Sequence, residues 1–246
     1  MTATRYVTPL KEGGSLPAIM EADDDGLYVT KFRAAGQGPK ALVAEIVAGE
    51  IGRRLGLPVP ELVVIDMDIA LAAAEPDPEI RELLERSAGL NAGLDFLPGS
   101  LPYRPRVDPW ASPDLAADIV WFDALVTNID RTAKNPNLLI WHRNPWLIDH
   151  GAALYVQHTW RDPEAHARRG FAQAKDHILL PVASSVEAAD ERLAGRLDRP
   201  FLDAVLAAVP DDWLAEPRAM YVDYLATRLA APRPFVEEVE RARTAA

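Results

Sequence analysis

An aspartate at position 130, an asparagine five positions later at 135, and an aspartate at 149 within Asp149-His150-Gly151 are the residues whose types and order could carry out a reaction. In that order, one carboxylate orients an attacking hydroxyl, while an amide oxygen and a second carboxylate hold the metal ions that neutralise the phosphates of ATP. The spacing has a mechanical basis. Residues 138–141 (Leu-Leu-Ile-Trp) and 146–148 (Trp-Leu-Ile) are strand-forming, and His142-Arg143-Asn144-Pro145 between them reads as a polar turn. An antiparallel hairpin brings the residues before its first strand close to those after its second. Asn135 and Asp149 should therefore meet at its open end, where their hard oxygens suit Mg²⁺. Asp130 lies in the loop just before, within reach of the same point. A purely architectural reading, in which Asp and Asn cap turns, accounts for any one of these residues but less well for the ordered three.

These residues need elements to position them. Ser112-Pro113-Asp114 opens a helix, with Ser as cap and Pro in the first turn. Leu115, Ile119, Phe122 and Val126 form its buried stripe, and the helix delivers Asp130. Asp118 and Asp123 read as surface or cap-region charges, either able to brace the loop. In the first third, strands are expected at 5–10, 16–21 and 27–32. They are separated by Lys11-Glu12-Gly13-Gly14-Ser15 and by Asp23-Asp24-Asp25-Gly26, a strong turn signal. The third strand, rich in β-branched and aromatic residues, carries Lys31. A helix follows at 40–55, ended by Gly56 and Pro58. Further strands are expected at 60–67 and 92–97, with a short surface helix at 78–87. Pro98-Gly99, Pro105 and Pro109 form a rigid connector. After Gly151 the pattern is mostly helical, at 186–195, 200–209, 212–230 and 234–244, with an irregular stretch at 165–181. Gly13-Gly14-Ser15 lacks the Gly-Lys-Ser/Thr ending of a Walker A loop, although backbone N–H groups in such a turn can approach phosphates.

The two segments around Asp130 and Asp149 resemble the catalytic and metal-binding loops of HipA-type kinases, and more distantly those of phosphatidylinositol 3/4-kinases. The resemblance is strongest over residues 27–155. It implies an α+β, two-lobed protein-kinase-like fold: a β-rich small lobe with one main helix (1–97), a hinge and connector (98–111) and a mainly helical lobe (112–246). It implies that Asp130 is the catalytic Asp and that Asn135 and Asp149 are the metal ligands. Lys31 would reach the α- and β-phosphates of ATP, held by Glu45 on the helix. Glu50 is the alternative partner, but it lies about 140° further round the helix. Ala44-Glu45 stands at the family's distance from the Gly56-Leu57-Pro58-Val59-Pro60 exit. Backbone groups of Asp95, Phe96 and Leu97 would pair with adenine, and Gly13, Gly14 and Ser15 would lie near the phosphates. Thr132 departs from the pattern, since relatives carry Lys or His there, against the transferred phosphate. Arg131 or Lys134 is left to supply that charge. Known HipA toxins carry an extra N-terminal subdomain. This chain starts almost at its first strand, so neither toxin activity nor a DNA-binding antitoxin partner is expected.

Composition narrows the alternatives. The 246 residues suit one two-lobed domain. There is no cysteine, hence no disulfide framework or thiolate metal site. The five histidines show no zinc-enzyme spacing. A net charge of −11, with no block of Lys and Arg, argues against a nucleic-acid partner. No apolar run is long enough to span a bilayer, and no secretory signal pattern opens the chain, so a cytoplasmic enzyme is expected. Its partners would be ATP and an unidentified protein or small-molecule acceptor. Two other readings compete: a nucleotide-binding pseudokinase serving as a regulatory module, and a small-molecule kinase of the aminoglycoside or choline type. The latter usually has His-Gly where Asn128-Ile129 stands.

Overall fold

The computed structural model describes residues 1–11, 16–105, 108 and 112–245. Gly13, Gly14 and Ser15, and positions 106, 107 and 109–111 of the expected connector, lie outside the described residues. The first part of the chain is an antiparallel sheet of five strands: β1 (Ala3–Pro9), β2 (Ala18–Ala22), β3 (Leu27–Lys31), β4 (Leu62–Met67) and β5 (Gly89–Asp95), in the order β1-β2-β3-β5-β4. Asp25, at φ 62°, makes the tight turn between β2 and β3. In register, Lys31 pairs with Ala92 and Tyr28 with Asp95, so β3 and β5 run side by side toward one edge of the cleft. A second sheet holds β6 (Leu101–Pro102), β7 (Leu138–Trp141) and β8 (Asn144–Leu147).

The β7–β8 hairpin is tighter than its sequence suggests. Only His142 and Arg143 form the turn, both at positive φ (48° and 66°), as a two-residue hairpin loop requires. Pro145 joins β8 opposite Ile140; it is tolerated because β8 is an edge strand.

Eight α-helices are present among the described residues: α1 (Pro39–Leu55), α2 (Pro78–Arg86), α3 (Pro113–Leu125), α4 (Pro163–Ala167), α5 (Val186–Leu193), α6 (Arg199–Ala208), α7 (Arg218–Leu229) and α8 (Pro234–Thr244). The expected helix at 212–230 is split: Asp211–Trp213 is a short 3₁₀ turn and α7 starts after Pro217, because proline cannot donate inside a helix. α4 begins just before the stretch expected to be irregular and its last three residues lie in it. No helix among the described residues is long and apolar enough to cross a membrane.

Two helices position the site. Pro39 starts α1 and Gly56, at φ 83°, ends it with its N–H on the carbonyls of Arg53 and Gly52. Leu42, Val43, Ile46, Val47, Ile51 and Leu55 are all buried, each worth roughly 1.5–3 kcal/mol if fully removed from water. Ser112 caps α3 by accepting the Leu115 N–H, and α3 is apolar nearly all round, the pattern of a helix buried on every side. One apolar cluster joins α1 to α3 and the later helices, while a separate one lies under the sheet around Tyr6, Met20, Phe32 and Ile65.

Candidate active site

β3 and α1 bring together two charges that lie 14 positions apart: the Lys31 ammonium bonds Glu45 Oε2 at 2.7 Å. The same nitrogen reaches Asp149 Oδ1 at 2.6 Å, across 118 positions of chain. Glu50 is not the partner. It faces Arg53 at 3.6 Å on the half-exposed side of α1. Glu45 is fully buried. Burial alone would push its carboxyl up, but the Lys31 ammonium, with His150 nearby, outweighs that and holds it down at about 2. Burial likewise penalises the Lys31 cation, and Glu45 and Asp149 more than compensate, raising its pKa. His150 lies on the far side of Glu45, its Nδ1 3.6 Å from Oε1, too long for a hydrogen bond. Its ring meets Phe122 edge-on.

Asp130 lies on the opposite wall. Its Oδ2 accepts the Asn135 side-chain amide at 2.6 Å and that of Asn137 at 3.3 Å, and its own N–H donates to Asn128 Oδ1 at 3.2 Å. Several residues of these loops hold left-handed backbone: Thr127 (φ 53°), Asn137 (49°), Asp149 (57°) and Leu154 (52°). Such conformations cost energy outside glycine and concentrate at functional sites. Lys31, Asp130, Asn135 and Asp149 all line one cleft of about 800 Å³, within the range of small-molecule and cofactor sites. Val29 and Ala41 supply apolar wall on one side, Leu139 and Ile148 on the other. Leu10, Lys11 and Pro17, on either side of residues 12–15 in sequence, also border it.

Asp95, Phe96 and Leu97 line the cleft too, but they are not equivalent donors. The Asp95 N–H is bonded to Glu61 O at 2.8 Å and the Phe96 N–H to Leu27 O at 2.9 Å. Leu97 N–H alone of the three has no protein acceptor among the described residues. Asp95 keeps a raised carboxyl pKa, from burial and then from Glu61 beside it.

Arg131 does not face the cleft. It is 1% exposed and lies behind the loop, with Nε on Asp123 Oδ2 at 2.6 Å. It therefore cannot supply the charge that Thr132 lacks. Thr132 is itself turned into the loop. Its hydroxyl accepts the Asn135 N–H at 3.3 Å, and its own N–H donates to Asn135 O at 3.0 Å. Lys134 remains exposed. Of the two helix aspartates, Asp118 is a surface partner of Arg192, whereas Asp123 is fully buried and braces the loop. His177 and Arg228, unremarkable in sequence, are buried as well. Arg228 donates to the carbonyls of Ala124, Leu125, Ala167 and Arg169 and so closes the C-terminal end of α3. A signal for Asp123 does exist: it is the only charge between Ile119 and Thr127, in an otherwise apolar run.

Among the described residues no group of three or more His, Cys, Asp and Glu could hold a metal by itself. Asn135 and Asp149 offer one amide and one carboxylate oxygen. That donor set fits Mg²⁺ shared with phosphate oxygens and water, the usual way this ion is held.

A family model described as HipA-like kinase matches residues 4–231. Among solved structures the chain is similar to the Helicobacter pylori proinflammatory kinase CtkA, at 15% identity and a TM-score of 0.57, over 100% of this chain and 98% of that one. It is also similar to the Golgi casein kinase with Mn/ADP bound, at 13% identity and a TM-score of 0.56, over 98% of this chain and 73% of that one. No curated protein sequence matches the chain. At these identities the structural likeness is one of fold: an α+β, two-lobed protein-kinase-like architecture, β-rich first and helical after.

Proposed function

The chain belongs to the HipA-like kinase family, and from that premise we propose that it is an ATP- and Mg²⁺-dependent phosphotransferase acting on a hydroxyl, with a protein serine or threonine the first acceptor to test and a small molecule the second. We place its small lobe at 1–97, the connector at 98–111 and the helical lobe at 112–246. The observation that carries this reading is Lys31: one ammonium bonds both Glu45 and Asp149, in a cleft whose other wall presents Asp130 and Asn135.

In this reading Glu45 fixes Lys31, and Lys31 takes the α- and β-phosphates. Leu97 N–H is the adenine donor, since its two neighbours are already bonded. Asp130, steadied by the Asn135 and Asn137 amides, accepts or orients the acceptor's hydroxyl proton. Asn135 and Asp149 would hold the metal. When bound, Mg²⁺ supplies positive charge to the phosphate oxygens. The Golgi casein kinase structure with Mn/ADP supports nucleotide and divalent-metal use by this fold.

The test is mass spectrometry after incubation with Mg·ATP, alone and with cell lysate. Phosphate on the protein or on an acceptor supports transfer. Nucleotide binding with no transfer to any acceptor sinks it and favours a second reading, a nucleotide-binding regulatory module. The burial of Arg131 and the inward turn of Thr132 are what favour that reading.

A further inference from the structure

We propose that Asp123, Arg131 and His177 are positioning residues that set Asp130 against Asp149, and that His177 makes this setting depend on residues 172–182. The inference rests on the phosphotransferase reading above. None of the three side chains lines the cleft, so any effect on turnover must pass through the residues that do.

The Asp123 carboxylate, on α3, accepts Arg131 Nε at 2.6 Å, His177 Nε2 at 2.9 Å and the Asn128 amide at 2.9 Å. The Arg131 guanidinium also reaches the carbonyls of Asn137 and, at 3.4 Å, of Ile148. Those two residues are bonded to each other, Ile148 N–H to Asn137 O at 3.1 Å, and Ile148 immediately precedes Asp149. The residue after Asp130 is thus itself the buried cation that holds the residue before Asp149, directly and through Asn137. The third tie comes from downstream. The Arg131 carbonyl accepts the Ile178 N–H at 3.1 Å, and Thr132 bridges to His177. His177 Nδ1 accepts the Leu179 N–H at 3.1 Å, which places the ring proton on Nε2, pointing at Asp123. A buried ion pair of this kind persists only while every member keeps its partners. Displacing the 172–182 segment would take one of the three partners from Asp123 and the Ile178 tie from Arg131, and so loosen both loops together.

The test compares His177→Leu, which loses the Nε2 proton, with His177→Gln, whose amide N–H can replace it. Full-length protein is assayed for Mg·ATP turnover, for Mg·ATP affinity by calorimetry and for backbone hydrogen exchange. The Leu variant should lose about 10–100-fold in kcat, the scale for residues that orient a site from behind, with affinity near wild type. The Gln variant should recover most of the rate. Exchange in the Leu variant should quicken at both 128–137 and 146–151 and not at 89–95. Unchanged kcat, equal loss in both variants, or exchange raised only at 172–182 would each overturn the proposal. A wild type that turns over no ATP defeats the phosphotransferase reading separately; the exchange pattern then decides the positioning role.

Discussion

The Asp149 carboxylate is joined to the Lys31 ammonium at 2.6 Å while only one of its oxygens is engaged, so Oδ2 makes no hydrogen bond to the described residues. The same side chain can therefore keep Lys31 and face a cation. Asp149→Ala should weaken Mg·ATP binding, because a negative charge facing the metal is lost. Asp130→Ala should leave binding near wild type and lower transfer by about 10²–10⁴-fold, the usual worth of a positioned base. Calorimetry and transfer assays on both variants check this. Equal loss of affinity would mean the two carboxylates have been assigned the wrong way round.

Glu45 sets an acid limit on stability. Its carboxyl is held at about 2 in the folded protein against an ordinary 4.5. Its contribution is complete above pH 4.5 and is lost as pH falls toward 2, since the unfolded chain takes up the proton first. Thermal melts between pH 5 and 2.5 should show a falling Tm in wild type and a shallower fall in Glu45→Gln.

At neutral pH Glu45→Gln leaves the partly buried Lys31 with only the half-exposed Asp149. Breaking one member of a buried pair costs about 3–5 kcal/mol; the Asp149 contact should reduce that. Denaturant titration measures the loss, and no loss would mean that Asp149 alone suffices.

Arg131→Ala should destabilise the fold by about 3–5 kcal/mol, because it strands the buried Asp123. Lys134→Ala should leave Tm unchanged. If Lys134 supplies charge at the transferring phosphate, its loss should reduce kcat far more than affinity. Thr132→Lys serves as the gain-of-function control. Transfer appearing only in that variant would identify the wild type as a nucleotide-binding module.

Arg228→Met should cost roughly 2–5 kcal/mol. Four carbonyls lose the guanidinium; Ala124 O keeps the Thr127 N–H, and each buried acceptor left alone costs about 1–3 kcal/mol before relaxation. Urea unfolding checks it; a change under 1 kcal/mol would show that water replaces the guanidinium.

Local chemistry is readable where local rules apply. The Ser112 cap, the Gly56 exit, the Asp25-Gly26 turn and the order of strands around α1 follow from residue type and spacing; the choice of Glu45 over Glu50 comes from the family resemblance. What stays hidden is which charges are buried. Arg131 stands in a polar loop and His177 in a patternless stretch, and nothing nearby marks either as interior. Their burial is decided by Asp123, 8 and 54 positions away, and that of Arg228 by carbonyls 59 to 104 positions away. The β7–β8 turn is two residues shorter than its residue types imply. Asn144 and Pro145 favour turns in isolation, while pairing with Trp141 and Ile140 draws them into a strand.

α1 is fastened at both ends to the helical part of the chain. At its start, Lys40 Nζ bonds Gln157 O at 2.8 Å and Gln157 Nε2 returns to Lys40 O at 3.0 Å. At its finish, Arg196 Nη1 holds Leu55 O at 2.7 Å, and Arg54 lies over the Phe201 ring. Mechanically this is a beam clamped at both supports, sharing its apolar filling with α3. Widening the cleft by swinging that beam would break three hydrogen bonds and a cation–ring contact and open a buried apolar interface. The five-stranded sheet rests on the same beam: Ala92 of β5 belongs to that filling, and Leu62, Val64 and Leu90 pack against it. Sheet and beam should then keep their spacing, which holds Lys31, riding on the sheet, at a constant distance from Glu45 on the beam.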